Sequence, residues 1–259
     1  MKMTRAILLS LVICFLSIGQ SLNAQGFEGQ FILKSTVERA GNPEQAPTIT
    51  CLVKGTKILA EVEGGRTGSP YLVIYDGATG DYTSVSERDG VKTAMKNNIK
   101  SSDNYMVNAM KQARSSFSSS TTKPQLTNES KEIHGHVCAK YFVESKDEQA
   151  EIWVAKDIFI DLTDVLAILN IMDIEPNPYG VEGFVMDANI QNKTYQTNTR
   201  LTIELSPKTL EENAFQLPDD VKVNDMQARN DLMEEMRNTR DPEKLRELMQ
   251  KMRETSGGR

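Results

Sequence analysis

The sequence predicts an α+β protein, mainly antiparallel β, built as a curved sheet or incomplete barrel of about eleven strands. Helices cover its concave side, and a helical tail follows at the C-terminus. Three observations predict this. Short stretches alternate apolar and polar residues at the two-residue period of a half-buried strand. They are joined mostly by short polar turns, whereas parallel pairing would need a crossover helix between most neighbours. Three other segments carry apolar residues at helical spacing. Clean alternation sets one sheet face against a core or cavity and the other against water, and a sheet of that many strands curls.

Along the chain, Lys2 and Arg5 precede a run from Ala6 to Ile18, and polar Gly19 to Asn23 leads to Ala24. That order is the plan of a secretory signal, so residues 1–24 are expected to be removed. The run is shorter than the roughly 20 apolar residues that span a bilayer. Lipid attachment at Cys14 is disfavoured because Ile13 stands where processing wants a small residue. The β-rich domain is expected over 25–223 and an amphipathic helical tail over 224–259.

Phe27, Gly29, Phe31 and Leu33 alternate with polar neighbours as the first strand. Ile49, Cys51 and Val53 form a face of the next, and Ile58, Ala60 and Val62 of another, with Gly55 as the tight turn between them. Tyr71 to Tyr75 ends in Asp76-Gly77, residue types that tolerate the positive φ of a hairpin or bulged turn. Further strands are expected over 81–86, 91–96, 124–133, 137–144, 149–155, 183–190 and 198–206.

The first helical segment, 103–117, has the potential cap Asp103 and a stripe of Met106, Ala109, Met110, Ala113 and Phe117. The second, 162–172, carries Leu162, Val165, Leu166, Ile168 and Leu169 on more than one stripe and should be buried on most sides. Pro176 and Pro178 stop it. In the tail, Asp241-Pro242 is a helix start, because the Asp oxygen can accept from orphan amides and Pro needs no donor at the first helical position. Leu245, Leu248, Met249 and Met252 then form a narrow stripe, which either docks on the domain or offers a groove-binding helix to a partner protein.

Without Lys2 and Arg5 the chain holds 28 Lys+Arg against 36 Asp+Glu, a balance of −8. No basic cluster is present to displace counterions from a phosphate backbone, so no nucleic-acid partner is expected. The tail, with eight basic and eight acidic residues, is neutral, which disfavours membrane-surface binding. Cys51 and Cys138 form a possible disulfide pair in an oxidising compartment. Yet Cys51 shares a face with Ile49 and Val53, and Cys138 with Lys140 and Glu144. Opposite faces of one sheet would keep the sulfurs apart.

His134, His136 and Cys138 would point the same way in an ideal strand, as three metal ligands. Gly135 sits where a turn is needed, however, and no fourth ligand is indicated, so no metal and no cofactor is expected. No G-x-S-x-G elbow is present, and the two histidines are the only imidazole bases. The acidic residues include Glu61, Glu63, Asp219 and Asp220, none singled out as a glycosidase pair. Gly64-Gly65 and Gly77 to Gly80 lack the ending of a phosphate loop. The expectation is a protein that is not an enzyme and has no catalytic residues.

The stretch Ile133-x-Gly135-x-x-Cys138-x-Lys140-Tyr141, followed by Glu151-Ile152-Trp153-Val154-Ala155-Lys156-Asp157, resembles a family of exported Gram-negative bacterial proteins classed as a domain of unknown function. Tyr75-Asp76-Gly77-Ala78-Thr79-Gly80 and Phe215-Gln216-Leu217-Pro218 are similar to other elements of that family, and the resemblance spans about 27–223. The family is similar in plan to LolA/LolB-type lipoprotein carriers, which implies an incomplete antiparallel barrel with helices across its mouth and a cavity for acyl chains.

The expected function is binding of a lipid or lipidated protein in an apolar cavity by a periplasmic or secreted protein. Met106, Met110, Phe117, Leu166 and Leu169 are its candidate lining residues. The alternative is an envelope scaffold or partner-binding module acting through the Met-rich tail.

Overall fold

A computed structural model describes residues 27–44, 46–64, 70–100, 109, 112, 122–169, 171, 177, 179–217 and 221–255. The signal at 1–24 lies outside the described residues. So does most of the 103–117 helix, including Met106, Met110 and Phe117; the two described residues there, Ala109 and Gln112, are helical.

The strands are β1 (Gly29–Arg39), β2 (Asn42–Glu44), β3 (Thr48–Lys54), β4 (Lys57–Glu63), β5 (Leu72–Asp76), β6 (Asp81–Arg88), β7 (Val91–Asn98), β8 (Gln125–Ile133), β9 (His136–Glu144), β10 (Glu148–Ala155), β11 (Phe184–Asn192), β12 (Thr197–Pro207) and β13 (Lys222–Asp225). The helices are α1 (Thr163–Ile168), α2 (Met226–Asn238) and α3 (Pro242–Thr255), with a 3-10 turn at Glu212–Phe215. All strands join one unclosed sheet in the order β13-β7-β6-β5-β4-β3-β1-β12-β11-β10-β9-β8, with β2 paired to β1 alone. This is the antiparallel half-barrel that the alternation predicts.

Two meanders meet at its centre. β1 and β12 pair in register from Gly29↔Pro207 to Arg39↔Thr197, stitching β3–β7 on one side to β8–β11 on the other. Hairpins turn at Ala40-Gly41, Asp89-Gly90 and His134-Gly135, where φ is positive at both residues (49° and 80°, 53° and 76°, 50° and 82°). Two successive positive φ values match the turn's twist to that of the flanking strands. β7 and β8 are consecutive in sequence yet stand near opposite ends of the sheet order, so the chain between them links the two ends of the open sheet.

Two elements escape the alternation argument. β2 is three exposed residues, too short to show a period. β13 is four residues and runs parallel to β7, Lys222↔Thr93 through Asp225↔Lys96. The domain boundary read at Val223 therefore falls inside a strand.

The sheet has apolar residues on both faces. On one, Phe31, Leu33, Ile49, Ile152 and Ile203 pack in a core with Val165, Leu166 and Leu169 of the α1 segment. On the other, Leu59, Leu72, Val85 and Ala94 lie beneath Leu210, Phe215 and Val221, brought there by the crossing after β12. Lys57 and Lys54 hold Glu212 of that crossing at 2.7 and 3.2 Å.

Candidate functional site

The segment between β10 and β11 carries α1 over the main core. Asp161 Oδ1 accepts from the Thr163 amide at 2.9 Å, satisfying one orphan donor where the helix starts. Tyr75 on β5 donates its hydroxyl to Asp164 Oδ2 at 2.5 Å. Burial, reinforced by this bond, pushes the Tyr75 hydroxyl well above its ordinary pKa. The bond contributes little beside the buried face, where Leu166 and Leu169 alone each supply about 2–3 kcal/mol. The helix is thus held mainly by its apolar contacts.

At its N-terminal end a cavity of about 310 Å³ opens between Ile160–Thr163 and Gly183–Val185. Ile160, Leu162, Phe184 and Val185 contribute apolar walls, while Asp161, Thr163 and Asn177 contribute polar groups. Asn177 clips the loop by bonding the Val181 amide and carbonyl at 2.9 and 2.8 Å. Gly183 sits at φ 119°, and a Cβ there would come within 2.6 Å of the Ala155 carbonyl oxygen, so the close approach of loop and β10 requires glycine. Phe184 meets Phe31 edge-on, with centroids 5.7 Å apart, and continues the cavity wall into the core.

Of the residues singled out from sequence, Leu166 and Leu169 are each 1% exposed and pack within the core. They do not border this cavity, to which the start of α1 contributes its N-cap Leu162 and its first residue Thr163. In the tail, Leu248 is 3% exposed, Leu245 and Met252 are half-buried, and Met249 is 43% exposed. α3 packs against α2, and α2 against β7, so part of the stripe is already covered by the chain itself.

The sheet's opposite face holds a second, larger concavity of about 580 Å³. It is built from registered cross-strand rows: Thr36 faces Arg200, Arg200 faces Asn189, and Asn189 faces Glu151. Asp187 faces Trp153, and Glu38 faces Asn198. Lys131 Nζ lies 4.2 Å from the Trp153 ring centroid and 3.0 Å from Asp187 Oδ2. Lys140 Nζ lies 5.7 Å from the same ring, and its bond to Glu129 is the main cause that holds its pKa above the ordinary value. Arg200 and the other residues of this trough were not singled out from sequence as a site. The available signal was Trp153, which shares parity with Glu151 rather than with Ile152 and Val154.

The histidines separate at the turn: His134 sits at φ 50°, and His136 Nδ1 is 2.8 Å from Asp157 Oδ2. Among the described residues, no group of three or more His, Cys, Asp or Glu converges as a metal site. Cys51 and Cys138 are buried free thiols, each with a pKa raised by burial. Four strands lie between β3 and β9 in the sheet order, and the two thiols are not joined as a disulfide.

No family model matches the chain, and no curated protein matches it. Among solved structures it is similar to PNGF-II, with a TM-score of 0.35 and 11% identity over 78% of this chain and 32% of that one. It is similar to a LolA superfamily protein from Nitrosomonas europaea, with a TM-score of 0.31 and 11% identity over 74% of this chain and 91% of that one. It is also similar to a DUF1329 family protein from Desulfovibrio piger, with a TM-score of 0.30 and 10% identity over 74% and 91% of the two chains. The chain spans about a third of the length of the PNGF-II chain. Among the described residues, no helix is long and apolar enough to cross a membrane.

Proposed function

We propose that the protein is an exported, non-enzymatic binding protein of the bacterial envelope that takes an acyl chain, from a lipid or a lipidated protein, beside α1. The observation that carries this reading is the amphipathic cavity at the start of α1, with Phe184 leading from its wall into the main core. Its 310 Å³ lies at the lower end of ligand-pocket sizes. Burial of apolar surface supplies about 25 cal/mol per Å² without a charged anchor. Met106, Met110 and Phe117, the other lining residues expected from sequence, lie outside the described residues. Export rests on the residues 1–24 signal pattern.

Native mass spectrometry of protein purified from its own envelope is the first test. A retained lipid supports the carrier reading; a clean ligand-free mass under gentle conditions counts against it. Thr163→Trp tests the place. Thr163 is exposed at the cavity, so the variant should fold normally while blocking the opening and weakening displacement of a fluorescent fatty acid at least tenfold. Unchanged displacement would sink the assignment. Capture of a partner through the tail is the second reading, and it is less well served because Leu248 is already buried.

A further inference from the structure

The polar concavity on the opposite face is independent of the acyl-chain reading. We propose that it is a binding site for a neutral saccharide, with Trp153 as the stacking platform. The lining interleaves carboxylates of Glu38, Glu151 and Asp187 with the cations of Lys131 and Arg200. A polyanion would meet the three acids, and a polycation would meet the two bases. An apolar ligand would strip water from all five charges without replacing the lost bonds. A hydroxyl both donates and accepts, so a row of hydroxyls can serve every group in the trough.

Two further observations favour this class. Among the described residues, Oδ1 of Asn198 is buried without a hydrogen-bond partner, and Asn198 lines the trough. That oxygen exposes no surface, so a ligand donor meets it only once the Asn198 side chain turns outward, and the bond then removes the cost of leaving a buried acceptor unpaired. At the other side stands Trp153, whose ring face carries the negative end of a quadrupole. Lys131 now occupies that face at 4.2 Å, tied by a partly exposed ion pair to Asp187. Such pairs hold weakly and the lysine stem is flexible, so the ammonium can give way to the polarised C–H face of a sugar ring. A peptide is less suited. Apart from Lys131 on the edge strand β8, the trough lies over β1, β10, β11 and β12, interior strands paired on both sides, whereas extended peptides add to a free sheet edge.

Trp153 is the chain's one tryptophan, so intrinsic fluorescence reports on this trough alone. The full mature chain is titrated with chitohexaose, cellohexaose, maltohexaose and xylohexaose to millimolar concentration, with hexa-alanine as the peptide comparison. The expected result is a saturable change in emission with at least one hexasaccharide and none with hexa-alanine. Asn189 and Glu38 are exposed, so Asn189→Ala and Glu38→Gln should stay folded while each weakens binding about fivefold, the loss of one hydrogen bond. Asn198→Ala should weaken it at least as much. No response to any hexasaccharide, an equal response to hexa-alanine, or unchanged affinity in both exposed variants overturns the proposal. Thr163→Leu, on the other face and without a second fluorophore, serves as the control and should leave the saccharide affinity unaltered.

Discussion

Tyr75 joins the sheet to α1 through a single phenol, and its environment fixes how that junction responds to pH. The folded state favours the neutral hydroxyl, first because it is buried and then because it donates to Asp164. A group whose folded pKa lies above its unfolded one stabilises fully below the unfolded value, here 10.0, and loses that contribution as pH rises through the folded value. Tyr179, which donates to Glu148, is raised for the same causes in the same order. Ultraviolet titration should therefore find Tyr75 and Tyr179 resisting ionisation well above pH 10 until the protein unfolds. An ionisation step on unfolding above pH 10 that is no smaller in Tyr75→Phe or Tyr179→Phe would contradict this. Tyr75→Phe should lower stability by about 1.5 kcal/mol in urea, the worth of a hydrogen bond to a carboxylate. Gly183→Ala should cost more, about 3 kcal/mol, because positive φ and the close approach to Ala155 act together. Little of this is legible in sequence: Tyr75 and Asp164 are 89 positions apart, and no periodicity announces a long-range phenol–carboxylate pair. Phe31, Leu33, Ile49, Cys51 and Val53 were legible as core because strand parity alone assigns a face.

The elements divide by the source of their stability. Long strands with one apolar face declare themselves, and the hairpins at Gly55 and Gly135 follow from residue types that admit positive φ. β13 did not, since its partner β7 is more than a hundred residues away and parallel pairing leaves no hairpin signal. α1 is shorter than the apolar run from Leu162 to Met172 implied, ending at Ile168 with Leu169 as its C-cap. α3, by contrast, starts where Asp241-Pro242 says it should. Asp241 Oδ1 accepts from the Glu243 amide at 2.9 Å, and Lys244 reaches back to Glu235 of α2 at 2.9 Å. Asp241→Ala should remove about 1 kcal/mol from α3 and leave the sheet untouched. Hydrogen exchange reads this locally: faster exchange in Pro242–Thr255 with unchanged protection in β1 and β12 is the expected pattern. Equal loss of protection in both would mean that the tail and sheet unfold as one unit.

Across the molecule, the sheet is organised from its centre outward. β1 and β12 pair along eleven positions between the two meanders, whereas α2 and α3 hang from β13 at one edge. Local opening follows such gradients, because an edge element can detach without breaking the central ladder. The carrier and tail-capture readings also separate here. Ending the chain after Asp225 keeps β13 and its pairing with β7 while removing both tail helices. The truncated protein should keep the sheet's cooperative urea transition, with a lower midpoint because α2 no longer packs on β7. Its fatty-acid displacement should match that of the full chain, since Ile160, Leu162, Phe184 and Val185 all remain. If displacement disappears while the transition stays cooperative, the acyl site depends on the tail, and the cavity beside α1 is not sufficient to hold a chain.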